Sequence, residues 1–396
     1  MMNSINAQQE LPGRRLKVLF ITPWYPSQEQ PVAGVFVREH AKAVQLYDDV
    51  VVFHSQRRSH LRKLWEIIPE LDESLSAGLP TWHIMHRQLK LPNSSFFLEL
   101  GGALSGLRRL RQQGFRPDII HGHTYTSGAI AVLLGKLFHV PAIVTEHSSE
   151  FPRKLLKGAG LWKARVAFGQ AALVLPVSMA LQRGIEAYGL RARFQIVPNV
   201  VDTQLFHPVP RIPGPIKRLL TVALLDPSHN KGIPVLLQAL SQLPRSDWQL
   251  DIVGDGPARA EYEQLVKSLN LTCSVKFHGS KSKAEVAQFM QQADLFVLPS
   301  RFETFSVVTA EALATGLPVL VTQCGGPEEF VSAEVGMTVP VEDMKALQIA
   351  LNAMMDTLDT YVPVRIAEYA AMRFSAQTVG AKLHSIYLQT GKACRE

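Results

Sequence analysis

Short apolar runs alternate with amphipathic segments along the chain, and this alternation most narrows the folds open to it. "LKVLFIT" (16–22) is a strand-length run, "GVFVREHAKAVQL" (34–46) has helical spacing, and "VVVF" (50–53) is strand-like again. Strand, helix, strand in that order predicts parallel strands joined by crossover helices. The pattern continues through "DIIHGH" (118–123), an apolar helix near 127–138, "PAIVTEH" (141–147), "ALVLPVS" (172–178), a helix near 179–188 and "FQIVPN" (194–199).

A proline-rich stretch, "VDTQLFHPVPRIPGPIK" (201–217), then breaks the alternation without apolar periodicity, as an interdomain linker would. Strands resume with "RLLTVALL" (218–225), "WQLDIVG" (248–254), "SVKFHG" (274–279), "DLFVLPS" (294–300) and "PVLVT" (318–322), separated by helical stretches. At 396 residues the chain exceeds what one core usually serves. The expectation is α/β: two Rossmann-like, doubly wound parallel-sheet domains, residues 1–204 and 205–378, facing a central cleft. Ligands of such sheets bind beyond the carboxyl ends of the strands, so both ligand-bearing edges face that cleft.

The net charge is +7, and the excess is clustered in "SQRRSHLRKLW" (55–65), "RRLR" (108–111) and "FPRKLLKGAGLWKAR" (151–165), which points to anionic partners. Nucleic acid is not expected, because no zinc pattern, helix-turn-helix signature or aromatic-basic RNA motif accompanies the charge. The first and last clusters interleave Trp65, Phe151, Leu155, Leu156 and Trp162 with Arg and Lys, the composition of a peripheral patch on an anionic membrane surface. The most apolar long stretch, 127–144, is interrupted by Lys136, His139 and Pro141, so no membrane span is expected. Three scattered cysteines without C-x-x-C spacing, and a polar N-terminus where a secretory signal would be apolar, suit a reducing cytoplasm.

Within "PSRFETFSVVTAEALATGLPVL" (299–320), Glu303 and Glu311 stand eight positions apart with no charge between them. Glycoside hydrolysis would need two carboxylates about 5 to 9.5 Å apart. Eight residues of helix rise about 12 Å, too far to flank one bond. A loop glutamate and a helix glutamate would instead hold different parts of one elongated ligand. Between them, Thr304, Phe305 and Ser306 open a helix, whose free N–H groups and positive dipole end suit a phosphate or a sugar hydroxyl. Two ordinary solvated charges would share this spacing.

The segment resembles the E-x7-E signature of the family 4 glycosyltransferases, retaining enzymes of the GT-B fold, and the resemblance extends over nearly the whole chain. It implies that Glu303 holds the donor sugar and Glu311 the ribose hydroxyls of a nucleotide-diphosphate sugar. "KVLFITPWYPSQEQPVAGVFVREHAKAV" is similar to the family's first strand, glycine loop and helix, with Gly34 where the backbone approaches donor phosphates or acceptor. The family usually has Gly-Gly there; this chain has Ala33-Gly34. As a plain turn or helix-cap glycine, Gly34 would look the same. "PAIVTEHSSEF" matches the strand end that carries a histidine toward the donor sugar, here His147, whereas His121 and His123 read as packing or acceptor-loop residues.

"VALLDPSHNKGIPVLLQAL" resembles the segment whose arginine and lysine neutralise the diphosphate. Lys231 fits the lysine, but Leu224 stands near the arginine's place, so either Arg301 compensates or the charge is met more weakly, and a salt bridge with a neighbouring carboxylate would explain Arg301 equally well. Recognition of the base falls to backbone near Gly279 and Ser280. The resemblance further implies that the C-terminal helix, 379–396, crosses back onto the first domain.

No D-x-D occurs, so no metal is expected, and "VGDGPAR" (253–259) lacks the third glycine of a dinucleotide fingerprint, so no cofactor is expected beyond the donor substrate. The implied activity is transfer of a hexose, with retention, to a hydroxyl of a saccharide or lipid-linked saccharide in bacterial envelope or exopolysaccharide synthesis. A sugar-nucleotide-binding protein without turnover and a GT-B epimerase or phosphorylase are the alternatives.

Overall fold

A computed structural model of the chain describes residues 14–393, apart from 28–29, 31–32, 60, 71–77, 90, 92 and 212–213. The expected N-terminal arm (1–13) and Cys394 lie outside the described residues. In the first domain the elements run β1 (Lys17–Thr22), α1 (Val35–Gln45), β2 (Asp49–Arg58), β3 (Trp65–Glu70), β4 (Thr81–Arg87), α2 (Ser94–Gln112), β5 (Ile119–His123), α3 (Thr124–Phe138), β6 (Ala142–Glu146), α4 (Gly158–Gln170), β7 (Leu173–Pro176) and α5 (Met179–Glu186). The sheet order is β3-β4-β2-β1-β5-β6-β7, parallel except for β3, which pairs antiparallel with β4 at the edge. β1 is buried on both faces, which is why it reads as an unbroken apolar run.

The second domain contributes β8 (Lys217–Val222), α6 (Ile233–Ser241), β9 (Trp248–Val253), α7 (Arg259–Ser268), β10 (Val275–Phe277), α8 (Lys283–Gln292), β11 (Leu295–Leu298), α9 (Val307–Ala314), β12 (Val319–Thr322), β13 (Gly336–Val339), α10 (Met344–Asp356) and α11 (Pro363–Phe374). Its six strands, ordered β10-β9-β8-β11-β12-β13, pair in parallel throughout. In both sheets the strand order reverses beside the first strand of the domain. That is the switch point at which open α/β sheets bind ligands.

The last helix, α12 (Ala376–Ala393), returns to the first domain. Val379, Leu383, Ile386 and Tyr387 pack with Val18 and Phe20 of β1 and with Val37, Ala41 and Val44 of α1. Buried polar contacts fix its register: His384 Nδ1 lies 2.8 Å from Asp48 Oδ1, and the Tyr387 hydroxyl lies 2.7 Å from His121 Nδ1. Val201 N donates to Phe374 O at 2.8 Å, so the two interdomain crossings run side by side. A further contact joins the domains, because the Glu329 carboxylate accepts from Met179 N (2.8 Å) and Ala180 N (2.6 Å) at the start of α5.

Two sequence expectations are corrected here. "FQIVPN" forms no full strand: Phe194 makes an isolated bridge to Val174, and the chain then follows β7 as extended coil toward the linker. The proposed membrane patch also loses most of its apolar members. Phe151 and Leu156 are buried in the core, and Trp65 lies over the glycines of α2, leaving Leu155 and Trp162 exposed.

Candidate functional site

Between the domains lies a cavity of about 750 Å³. The second domain lines it with the run Glu303 to Val307, and the first domain lines it with Trp24, Phe36, Tyr125, His147 and Asn199, among others. It thus opens between the carboxyl ends of β1, β5 and β6 and the loop after β11.

Glu303 is the best-anchored group in that loop. Its backbone bridges Gly325, with Glu303 N donating to Cys324 O at 3.1 Å and Gly326 N donating to Glu303 O at 2.9 Å. Its Oε1 accepts from Lys231 Nζ at 2.6 Å and from Ser300 Oγ at 2.8 Å. Lys231 comes from the loop after β8, on the neighbouring strand of the sheet, so the topology brings together two residues 72 positions apart. Both side chains are partly exposed, and Glu303 itself lines the cavity.

After Glu303 the backbone turns sharply into α9, with Ser306 at φ 69 and its Oγ 2.8 Å from Thr309 Oγ1. Thr304 and Ser306 line the cavity. Phe305 contributes backbone only, since its ring is buried against Phe330 and Phe374, with centroids 5.2 and 5.4 Å away. Glu311 follows on α9, 7% exposed, and pairs with Lys283 Nζ at 3.2 Å. Burial raises its pKa, Lys283 opposes the shift, and the carboxylates of Glu39 and Asp202 add to it.

His147 reaches the same cavity from the end of β6. Its Nε2 lies 3.2 Å from His123 Nδ1, and its ring lies tilted against Phe36, with centroids 4.5 Å apart. Burial holds its pKa well below the ordinary histidine value, and the nearby His40 and His121 push the same way, so the ring is neutral at physiological pH. His121 and His123 are fully buried and do not line the cavity. The loop that carries His147 is set by Glu146, whose carboxylate accepts from His147 N (2.9 Å), Ser148 N (2.8 Å) and Tyr125 N (2.7 Å).

The remaining expected residues lie elsewhere. Gly34 caps α1 at φ 64, and a Cβ there would lie 2.2 Å from Trp24 carbonyl atoms, so glycine is required by the return of the loop onto Trp24. Arg301 does not line the cavity; its guanidinium pairs with Glu342 at 2.7 Å and donates to Ser228 O at 3.2 Å. Gly279 and Ser280 sit between β10 and α8, where Gly254 N donates to Gly279 O at 2.9 Å. Leu224 is exposed and supplies no charge.

Lys283 and Glu146 were not legible as site residues: Lys283 belongs to no motif and meets Glu311 only through the fold, and Glu146 lies in the segment that carries His147 but gains its bond from Tyr125 N only through the fold. Among the described residues, one group has metal-ligand character: His40, His123 and His147 bring one nitrogen each within 4.8 Å of one another. Both nitrogens of His40 face backbone carbonyls, Phe36 O at 2.9 Å and Pro198 O at 3.1 Å, and coordination would break one of these contacts.

The buried groups set opposite pH dependences. Burial lowers His40, His123 and His147, and it lowers His54 and His121 to about 3. The native state therefore binds fewer protons than the unfolded chain below about pH 6.5, and stability falls as pH drops from there toward 3. Glu146 acts the other way. Burial raises it to about 7, so its contribution is full below about pH 4.5 and is lost as pH rises through 7. Glu146→Gln is expected to flatten the loss of stability between about pH 5 and 8. Urea midpoints across that range check it, and a variant profile parallel to the wild type would contradict it.

Two parallel-sheet domains meeting at such a cleft define a protein of the GT-B fold. The family profile Glycosyltransferase Family 4 matches residues 33–205, and Glycosyl transferases group 1 matches 202–371. One profile falls on each domain, and the chain belongs to the glycosyltransferases of this fold. TuaC of Bacillus subtilis, a glycosyltransferase provisionally assigned to teichuronic acid biosynthesis, is 28% identical over 357 residues, 85% of this chain and 88% of the relative. A glycogen synthase of Mycobacterium tuberculosis is 26% identical over 321 residues, 76% of each chain. The Anabaena protein HepE, solved with UDP and glucose, superposes with a TM-score of 0.73 at 20% identity, over 95% of this chain and all of that one.

Proposed function

We propose that the protein is a metal-independent family 4 hexosyltransferase that moves a sugar from a nucleotide-diphosphate donor to a hydroxyl of a saccharide or lipid-linked saccharide, with retention at the anomeric carbon. The observation that carries the reading is the Lys231–Glu303 pair at the mouth of α9, on the cavity that His147 lines from the other domain. On donor binding, Lys231 and the free amides at the start of α9 take the diphosphate charge, and Glu303 accepts from sugar hydroxyls. His147, neutral, offers a ring nitrogen to the sugar.

The acceptor oxygen bonds to C1 on the face from which the phosphate oxygen leaves, and the acceptor's proton passes to that departing oxygen. The products are the glycoside and a nucleoside diphosphate. Closure of the domains over the donor excludes the water that would hydrolyse it.

Glu311, on the same helix as the phosphate-facing amides, holds the ribose in this reading, its contact with Lys283 opening to the donor. A thermal-shift panel of UDP-, GDP- and ADP-sugars, in chelator, tests this reading. One nucleotide class is expected to raise the wild-type Tm by several degrees, and Glu311→Ala to lose most of that rise. Equal stabilisation of the two proteins would remove Glu311 from the donor site.

The kinship with an envelope-polysaccharide relative supports a role in bacterial envelope or exopolysaccharide synthesis. The reading places the protein in the cytoplasm, touching the inner face of the membrane through exposed Leu155 and Trp162 and the lysines around them. Among the described residues no helix is long and apolar enough to cross a membrane. Cosedimentation with phosphatidylglycerol vesicles, weakened in a Leu155→Ala/Trp162→Ala variant, is the expected outcome; wild type left in the supernatant would rule out that contact.

A further inference from the structure

The first-domain wall of the cleft holds charged groups that the donor chemistry leaves unused. Glu99, on α2, lines the cavity although it is only 8% exposed. Its Oε1 lies 3.1 Å from Nε2 of His86, itself 1% exposed, which fixes the carboxylate's orientation. Its other oxygen, Oε2, is buried without a hydrogen-bond partner. A buried carboxylate oxygen is costly to leave unsatisfied, and one on a cavity wall finds its donor in what fills the cavity.

The same wall carries two cations, Arg57 at the end of β2 and Lys163 on α4. Neither meets a carboxylate among the described residues; Lys163 Nζ lies over the Phe96 ring, 5.5 Å from its centroid. The wall's other carboxylate, Glu150, is already engaged, accepting from the Tyr125 hydroxyl at 2.9 Å and Ser148 Oγ at 3.3 Å. Each carboxylate thus has at least one oxygen engaged within the protein, whereas neither cation is paired with a carboxylate among the described residues. Phe96 and Tyr125 add aromatic surface of the kind that sugar rings pack on.

We propose that this wall is an acceptor subsite for a saccharide bearing an anionic group, with Glu99 accepting from an acceptor hydroxyl and Arg57 and Lys163 binding the negative charge. The proposal rests on reading the cleft as a glycosyl-transfer site and names the class of acceptor it takes. The charge is a uronic-acid carboxylate or a phosphate, since a guanidinium and an ammonium suit both.

Calorimetric titration of the wild type with methyl β-glucuronide, methyl β-glucoside 6-phosphate and neutral methyl β-glucoside tests it, each with and without saturating UDP, GDP or ADP. The charged glycosides are expected to bind roughly tenfold more tightly than the neutral one, and the tighter of the two identifies the anion. An Arg57→Ala/Lys163→Ala variant is expected to erase that preference. Glu99→Ala is expected to weaken all three probes, with Glu99→Gln as the shape-conserving substitute should the alanine variant misfold.

Equal affinity for charged and neutral probes, a preference that survives in the double variant, or no binding of any probe would overturn the proposal. The nucleotide arms separate it from the donor reading. Glycoside binding without any nucleotide response would leave the subsite standing and remove the donor site, and the converse would do the opposite.

Discussion

Glu303→Gln is expected to lower kcat by about two to three orders of magnitude while leaving the fold intact, the range seen when a single preorganised electrostatic partner of a reacting group is removed. The carboxylate has two tasks, and the amide cannot perform both. In the proposed reaction it accepts from the sugar hydroxyls, and in the structure it holds the Lys231 ammonium at 2.6 Å. A neutral amide keeps the shape and loses the field that positions Lys231. Lys231→Met is expected to cost a similar factor through the same pair.

Because the two groups act through one contact, the double variant is expected to be little worse than either single one, a non-additive cycle. Steady-state rates of the four proteins check this, with circular dichroism as the control for folding. Additive losses would show that the pair seen in the structure has no part in turnover.

The second large effect concerns stability. Gly232, next to Lys231, caps α6 at φ 66, and a Cβ there would lie 1.9 Å from Pro299 O. Two penalties therefore coincide, a left-handed backbone that side chains rarely adopt and a clash with rigid backbone. The backbone struck is the segment that leads into Ser300 and Glu303. Gly232→Ala is expected to destabilise the protein by about 2 to 4 kcal/mol, lowering Tm by roughly 5 to 10 °C, and to weaken nucleotide binding in parallel. Gly391→Ala is the control: it sits in α12 with nothing within 4 Å of the added carbon, so it is expected to be neutral or slightly stabilising. Similar melting of the two variants would contradict the close approach at Pro299.

The architecture was legible because buried parallel strands such as β1, β5, β6, β11 and β12 are short apolar runs, and proline marks the linker. The strands that escaped lie at the sheet margins. β3 mixes Glu with Trp and Ile at the exposed edge, and β4, though largely buried between β3 and β2, breaks its Trp, Ile and Met with Thr, His and Arg, so neither shows as an apolar run. β13, "GMTV", is four residues long and half exposed, too slight to show as a run.

For the site, the E-x7-E spacing located a loop and a helix at the cleft, but a motif fixes the path of the chain more firmly than the direction of each side chain. Phe305 is in the motif and its ring is in the core; Arg301 is in the motif and turns to Glu342. The groups that complete the cleft are distant in sequence. Glu99 and His86 meet because α2 packs on β4, Lys283 meets Glu311 because α8 and α9 flank β11, and neither pairing leaves a local signature. The basic-aromatic clusters misled for the same reason. Composition shows that Phe151 and Leu156 lie among cations, but only packing shows that they point inward.

The central claim is tested most directly by the anomeric configuration of the product. With the donor that raises Tm and an acceptor that binds the first-domain wall, proton NMR of the new glycoside during the first turnovers should show the donor's own anomeric configuration, with chelator present. An inverted linkage would contradict the same-face displacement assigned to Glu303, Lys231 and His147, and nucleotide binding with no new glycoside would reduce the protein to a binder of sugar nucleotides.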